Sequence, residues 1–314
     1  MDKRSAPALD SALSSRFAES RDGHPLSYNR APSPDLSPWF TRIYVTIVDA
    51  PADHRLDCGL FCDTGNLRLQ LRGEWTAMTG EGEMRLGRSA LFCGPHTRLM
   101  PISVTGSFAS IGAVMRPGIY RAPRSPSIGT YLDRLVPLTA FGGDVEAVLA
   151  RFDVDTGAER LASALEEYLR LRFPPDSPRP DPVTLRFEEL AYANPSANVG
   201  EFARECGIDR RRLERTVLRD FGMPPKQVLR RARALDMASH MIGVADEAEG
   251  DDMALRYYDQ SHLIREFTDL FGMSPGQFLS RPRPIMTLNL ESRQARRLEA
   301  MSRITPNAKR PWQR

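Results

Sequence analysis

The chain has no run of apolar residues approaching the ~18 that a membrane-spanning helix needs, and Met1 to Pro7 lack the apolar stretch of a secretory signal. A cytoplasmic protein without a membrane partner is expected. Cysteine is scarce: four in 314 residues, with no CxxC pair, which excludes a disulfide scaffold and makes reduced, buried thiols the expectation. The five histidines, His24, His54, His96, His240 and His262, form no HxH or HxxxH pair, and neither a Walker loop nor a GxSxG elbow occurs. Nothing nominates a catalytic residue, and neither a metal nor a cofactor is expected. Charge of one sign is also lacking. With 43 Lys+Arg against 40 Asp+Glu, a net of +3, a uniformly basic polyanion binder is excluded, and any nucleic-acid surface has to be local.

Proline, by contrast, is abundant, 25 of 314 residues against a usual share of about 5%, so linkers or tails are expected. Residues 1–35 are polar, rich in Ser, Pro and Arg and without sustained periodicity, which reads as a disordered tail. From Trp39 short strand signals follow one another at 43–48, 67–72, 84–86, 90–93, 102–105 and 111–115, separated by Gly and Pro turns. No helix-length segment lies between them, so residues 36–143 are expected to form a β-rich domain, a small barrel or cupin-like fold. Its Trp39, Tyr44, Phe61 and Trp75 read as core residues before they read as pocket lining, and no effector pocket can be named. Helical periodicity begins at Asp144, where Val148, Leu149, Leu161, Leu165 and Leu169 mark a connector over 144–172. Five prolines within 173–182 forbid helix and mark a linker. Residues 183–282 are helix-patterned, and 283–314 form a basic tail with nine Lys/Arg and two Glu from position 281 onward. The fold class is α+β: a β-rich domain followed by an all-α domain.

The all-α part contains an internal repeat at an offset of fifty residues. Asp209, Leu213, Arg215, Phe221, Gly222, Met223, Pro225 and Gln227 recur as Asp259, Leu263, Arg265, Phe271, Gly272, Met273, Pro275 and Gln277, eight identities in nineteen positions. In the first copy Asn198 is placed to cap a short helix whose buried stripe is Val199, Phe202, Ala203 and Cys206. Gly207 suits the left-handed turn that ends it, Ile208 anchors the turn, and Asp209 caps the next helix. A helix-turn-helix uses every one of these residues, with Gly222 and Gly272 as helix terminators and Asp259 as the second cap. In the second helix Leu213 and Val217 face inward, while Arg211, Arg215 and Arg219 recur every four residues with Arg212 beside them. Arg210 adds to the charge, and residues 204–233 carry ten Lys/Arg against four Asp/Glu. Arginine bridges phosphates and pairs bidentately with guanine edges, so this face suits a DNA major groove. A solvated face with local ion pairs to Glu205, Glu214 and Asp220 would explain the charge but neither the turn nor the repeat.

These residues resemble an AraC/XylS-type transcriptional regulator. The resemblance rests on the paired units, the Phe-Gly-Met-x-Pro that closes both, the segment 225–233 and the segment Tyr257 to Phe267. It implies two helix-turn-helix units joined by a long helix over 226–242, with Arg211, Arg212 and Arg215 in one groove and Gln260, Ser261, His262 and Arg265 in the next. Residues 39–143 resemble, more loosely, the N-terminal β-rich domain of one branch of these regulators, which implies a sensory or dimerisation role for 36–143. The partners implied are double-stranded DNA, a small-molecule effector, a second copy of the chain and RNA polymerase. The second unit departs from the pattern: Asp252 and Arg256 stand where Ala and Gly are usual, and residues 236–272 hold nine acids against two Arg. Those acids are costly beside a polyanion unless they point away from it. An alternative of another class is a cupin-like metal-dependent enzyme, in which His54, His96, Cys58, Cys62 and Cys93 would supply ligands and the helical part would be accessory.

Overall fold

In the computed structural model residues 7–119, 127–245 and 260–304 are described, with backbone alone at 260–263 and 302–304. The strands are β1 (Ser14–Ser15), β2 (Ala18–Glu19), β3 (Pro25–Leu26), β4 (Tyr28–Arg30), β5 (Phe40–Asp49), β6 (Arg55–Leu60), β7 (Asn66–Thr79), β8 (Gly82–Leu86), β9 (Ser89–Cys93), β10 (Met100–Met115) and β11 (Leu135–Pro137). The helices are α1 (Val145–Leu149), α2 (Ala158–Arg172), α3 (Pro182–Ala193), α4 (Val199–Glu205), α5 (Arg210–Phe221), α6 (Pro225–Met241), α7 (Gln260–Phe271), α8 (Pro275–Leu279) and α9 (Pro284–Ile304). The fold is α+β, with an N-terminal β-rich domain and a C-terminal helical domain. Among the described residues no helix is long and apolar enough to cross a membrane.

The sheet is antiparallel and runs β1-β5-β10-β7-β9-β11, with β4 added to β5, β6 to β10 and β8 to β7. The strand signals at 102–105 and 111–115 are one sixteen-residue strand, β10, whose register against β7 shifts between Thr105 and Ala109. The shift lets β10 pair with β6 in its first half and β5 in its second, which bends the sheet. Gly73 sits at the bend of β7 with φ +99°, where a Cβ would lie 2.8 Å from that of Phe108, so only glycine fits.

The alternation Leu67, Arg68, Leu69, Gln70, Leu71 separates two buried faces rather than a buried face from a wet one. Leu67, Leu69 and Leu71 join Ile43, Val45, Ile47 and Ile111 beneath α1 and α2. The opposite, polar face carries Arg42, Tyr44, Thr46, Asn66, Arg68, Gln70 and Ser110, all buried, and α9 lies over it. A second cluster joins Leu56, Leu60, Phe61 and Ile102 to Leu235, Phe267, Phe271, Phe278 and Ile285. The β domain and the second half of the helical domain therefore share one core, in place of two separate ones.

Both ends depart from the expected tails. Residues 7–35 supply β1–β4 and bury His24 and Leu26. Residues 284–304 form α9, whose Ile285, Met286 and Leu290 are buried together with Arg293, Arg296 and Arg297. Arg293 pairs with Asp236 and Asp63, and Arg296 lies 2.6 Å from Asp63. A sequence window centred on α9 contains none of these carboxylates, so its guanidinium groups read as solvated.

Candidate nucleic-acid interface

Helix α4 starts where the Asn198 side chain accepts hydrogen bonds from the amides of Gly200 (2.8 Å) and Glu201 (3.2 Å). Val199, Phe202 and Ala203 are buried, and Gly207, at φ +66°, turns the chain. The amide of Ile208 then bonds back to the carbonyl of Ala203 at 3.1 Å. Asp209 caps α5 by accepting from the amide of Arg212 at 2.8 Å. Leu213, Val217 and Phe221 bury the inner face of α5 against Phe187 and Phe202, with the Phe187 and Phe221 rings 5.4 Å apart. Gly222 ends the helix in the left-handed region at φ +77°, its amide donating to Leu218. A Cβ there would meet Leu132 at 3.0 Å and Gly129 at 3.2 Å, so the terminator is also a contact with the β domain.

The outer face of α5 sorts its arginines into two groups. Arg211, Arg212 and Arg215 are exposed and make no ion pair among the described residues. Arg210 is exposed but 2.9 Å from Glu214. Arg219 lies 2.6 Å from Asp220 and 3.6 Å from Asp181, and Asp220 is buried and accepts from the Thr184 hydroxyl. Arg219 therefore fastens α5 to α3, whereas the other three present free donors just beyond a tight turn.

The second unit is described from Gln260 onward; Asp259, with Asp252, Arg256 and the rest of 246–259, lies outside the described residues. Gln260, Ser261 and His262 occupy the first turn of α7, and Arg265 is exposed in the next. Gly272 follows at φ +68°, and Ser274 and Gln277 form a reciprocal capping box on α8. Three of the nine acids counted in this region can be placed, and each meets arginines of the protein itself. Asp236 pairs with Arg293; Glu266 is buried 2.6 Å from Arg233; Asp269 pairs with Arg230. Arg230 and Arg233 stand on α6, which spans 225–241, so Glu266 and Asp269 pair with the connecting helix, while Asp236 of that helix pairs with α9.

Residues 202–281 match a family model described as a helix-turn-helix domain. This stretch is an AraC-type helix-turn-helix domain. The AraC-type domain is the DNA-binding module of transcription regulators, and that is the function class to which the chain's C-terminal part belongs. No curated protein matches the chain. Among solved structures, an apo point variant of ToxT from Vibrio cholerae is similar at 10% identity and a TM-score of 0.44, covering 76% of this chain and 96% of that one. Unsaturated fatty acid bound wild-type ToxT from the same organism gives 10% identity and 0.43, over 76% and 94%. The AraC-like transcriptional activator CuxR gives 14% and 0.26, over 70% and 89%.

The metal-enzyme alternative finds no support. Among the described residues no group of three His, Cys, Asp or Glu side chains could hold a metal ion. His54 pairs with Asp10 at 2.8 Å, while His96 is buried, its Nδ1 3.0 Å from the Leu60 carbonyl, and burial lowers its pKa from 6.5 to about 4. Cys58, Cys62 and Cys93 are buried free thiols, and burial raises each pKa, that of Cys93 to about 11. A different cluster escaped the sequence reading. Asp63, in the β6–β7 loop, accepts from Arg296 through its side chain and from Arg231 through its carbonyl, while Arg293 lies 3.4 Å away. These guanidinium groups hold the carboxyl below the usual range against the effect of burial. Three elements, the loop, α6 and α9, meet at this one acid.

Proposed function

We propose that this protein is a sequence-specific DNA-binding regulator whose AraC-type domain reads the major groove mainly through α5. The observation that carries this reading is the set of exposed guanidinium groups at Arg211, Arg212 and Arg215, unpaired among the described residues and placed directly after a capped turn. Unpaired arginines are ready for phosphate and guanine without first breaking an internal bond. Arg210 adds charge at the same helix start, while Arg219 is given a fastening role. Gln260, Ser261, His262 and Arg265 at the start of α7 form the second, weaker contact, one groove further along. The burial of Glu266 against Arg233 and the pairing of exposed Asp269 with Arg230 support that role, because both acids are offset by cations of the protein itself. The β-rich domain is the sensory half, acting on a small molecule. The test is selection of DNA fragments with the purified full-length protein, followed by affinity measurements at fixed salt on a selected and a scrambled site. Preference for the selected site should fall in Arg215→Ala. An undiminished preference would remove α5 as the reading helix.

A further inference from the structure

Two of the large apolar side chains that stand exposed belong to the helices carrying the proposed DNA contacts, Leu218 on α5 (50%) and Ile264 on α7 (46%). A leucine alone on a surface needs no explanation. Leu218 is not alone. It follows Arg211 by seven residues and Arg215 by three, so the three exposed side chains form one stripe along α5, opposite the buried Leu213, Thr216, Val217 and Asp220. At about 1.5 Å of rise per residue the stripe is about 10.5 Å long, and at about 3.4 Å per base pair it reaches across roughly three pairs.

The helix itself does not require a leucine there. Its terminator uses the Leu218 carbonyl, which accepts from the Gly222 amide at 3.1 Å. The second unit makes the same bond, from the Gly272 amide to the carbonyl of Thr268 at 2.8 Å, with a polar residue at the matched position of the repeat. The core of the first unit is closed by Phe221 and Met223, without Leu218.

We propose that Leu218 reads a thymine, resting on the C5 methyl of one thymine in the major groove next to the base pairs met by Arg211 and Arg215. An alkyl side chain neither donates nor accepts a hydrogen bond, so phosphates and polar base edges offer it nothing. The thymine methyl is the apolar group that the major groove displays. The exposed guanidinium groups of Arg211, Arg212 and Arg215 draw this face of α5 onto the polyanion and so bring the leucine to the base edges. Exclusion adds to the selectivity. A cytosine in place of the thymine would set its amino donor against the leucine, and a guanine its two acceptors, each left without a partner. This proposal rests on the reading of α5 as the recognition helix and supplies a base which that helix requires.

The experiment uses the full-length protein and the duplex that it selects from random-sequence DNA. Each thymine of the duplex is replaced singly by deoxyuridine, which deletes the C5 methyl and keeps the base pair, and affinity is read by fluorescence anisotropy at fixed salt. One replacement in the half bound by α5 should raise the Kd about fourfold, the equivalent of about 0.8 kcal/mol for one buried methyl. In Leu218→Ala the thymine and deoxyuridine duplexes should bind equally at that position, with the melting temperature unchanged because the side chain is exposed. Leu218→Met, which keeps an apolar side chain of similar reach, should retain the difference. Ile264→Ala should retain it as well, because α7 is placed in the next groove. A wild-type affinity that no single replacement weakens, or a difference that survives in Leu218→Ala, would overturn the proposal. Arg215→Ala on the same duplexes keeps the two readings apart. If it loses site preference while no wild-type thymine is sensitive, only the leucine contact is overturned. If it keeps full preference, α5 is overturned as the reading helix, whatever the thymine scan shows.

Discussion

Replacing Asp63 by Asn keeps the shape of the residue at the meeting point of three elements and removes its charge. In the wild-type protein the carboxylate faces Arg296 at 2.6 Å and Arg293 at 3.4 Å, and both guanidinium groups are almost completely buried. Arg293 keeps Asp236 after the change, but Arg296 keeps as its bonded partner the neutral Tyr192 hydroxyl at 2.6 Å, with Glu188 acting on it only through space. Arg296 therefore loses its bonded counter-charge and buried Arg231 the nearby charge that offsets its burial, and the loss of one such buried partner typically costs about 3–5 kcal/mol. For a chain of this size about 2–4 °C of melting temperature accompanies each kcal/mol, so the first unfolding transition should fall by roughly 10 °C. Because the pair is buried, raising the salt from about 0.1 to 1 M should not rescue the variant, whereas an exposed pair would be screened. The assay is thermal melting by circular dichroism at both salt concentrations, with limited proteolysis at the Arg296–Arg297 bonds as a second readout. A shift below about 2 °C, or one that salt erases, would refute the claim that Asp63 locks α9 and α6 to the β domain.

Arg215→Ala should weaken binding to a selected DNA site by about 1–3 kcal/mol, measured by fluorescence anisotropy, with the melting temperature unchanged. Arg219→Ala should do the reverse, because it leaves the buried Asp220 with the Thr184 hydroxyl alone; equal DNA losses in the two variants would contradict their separate roles. Gly222→Val should lower stability by about 1 kcal/mol or more, since a branched side chain must adopt φ +77° and press on Leu132 and Gly129, and an unmoved melting curve would show that α5 does not end there. His96 supplies a pH dependence. Its folded pKa, about 4, lies below the ordinary 6.5, so the unfolded chain takes up a proton that the folded one refuses as the pH falls across that interval. Stability should decline from pH 6.5 to 4 by up to about 3 kcal/mol, and the decline should flatten in His96→Gln.

What could be read directly was local. The caps Asn198 and Asp209, the turn at Gly207 and the terminators Gly222 and Gly272 depend on backbone groups two to four residues away, and the repeat shows Asp209 and Gly222 a second time as Asp259 and Gly272. What could not be read depends on distant partners. Arg293 and Arg296 find their acids 57 and 233 positions away, so a stretch of nine Lys/Arg and two Glu passes for a solvated tail. Arg68 and Gln70 alternate with leucines as residues on a wet face do, and only the return of the last helix shows that the second face is covered too. Strand β6 alternates Leu56, Cys58 and Leu60 with Arg55, Asp57 and Gly59, and it was hidden by the low strand preference of Asp and Gly. Tyr44 and Phe61 read as core, yet both border a cavity beneath α9.

The shared core has a practical consequence for anyone who wishes to cut this protein in two. Phe267, Phe271 and Phe278 stack on one another and on Phe61 of the β domain, and Ile285 and Met286 complete the same cluster. A recombinant piece ending near residue 282 would carry α5 and α7 into solution with three aromatic rings bared on one side. Such a piece should clump or stay molten, while its first unit, whose Phe187, Phe202, Leu213 and Phe221 pack among themselves, remains ordered. Co-expressed halves, one ending before α3 and the other running to the C-terminus, should instead find each other and purify as a pair.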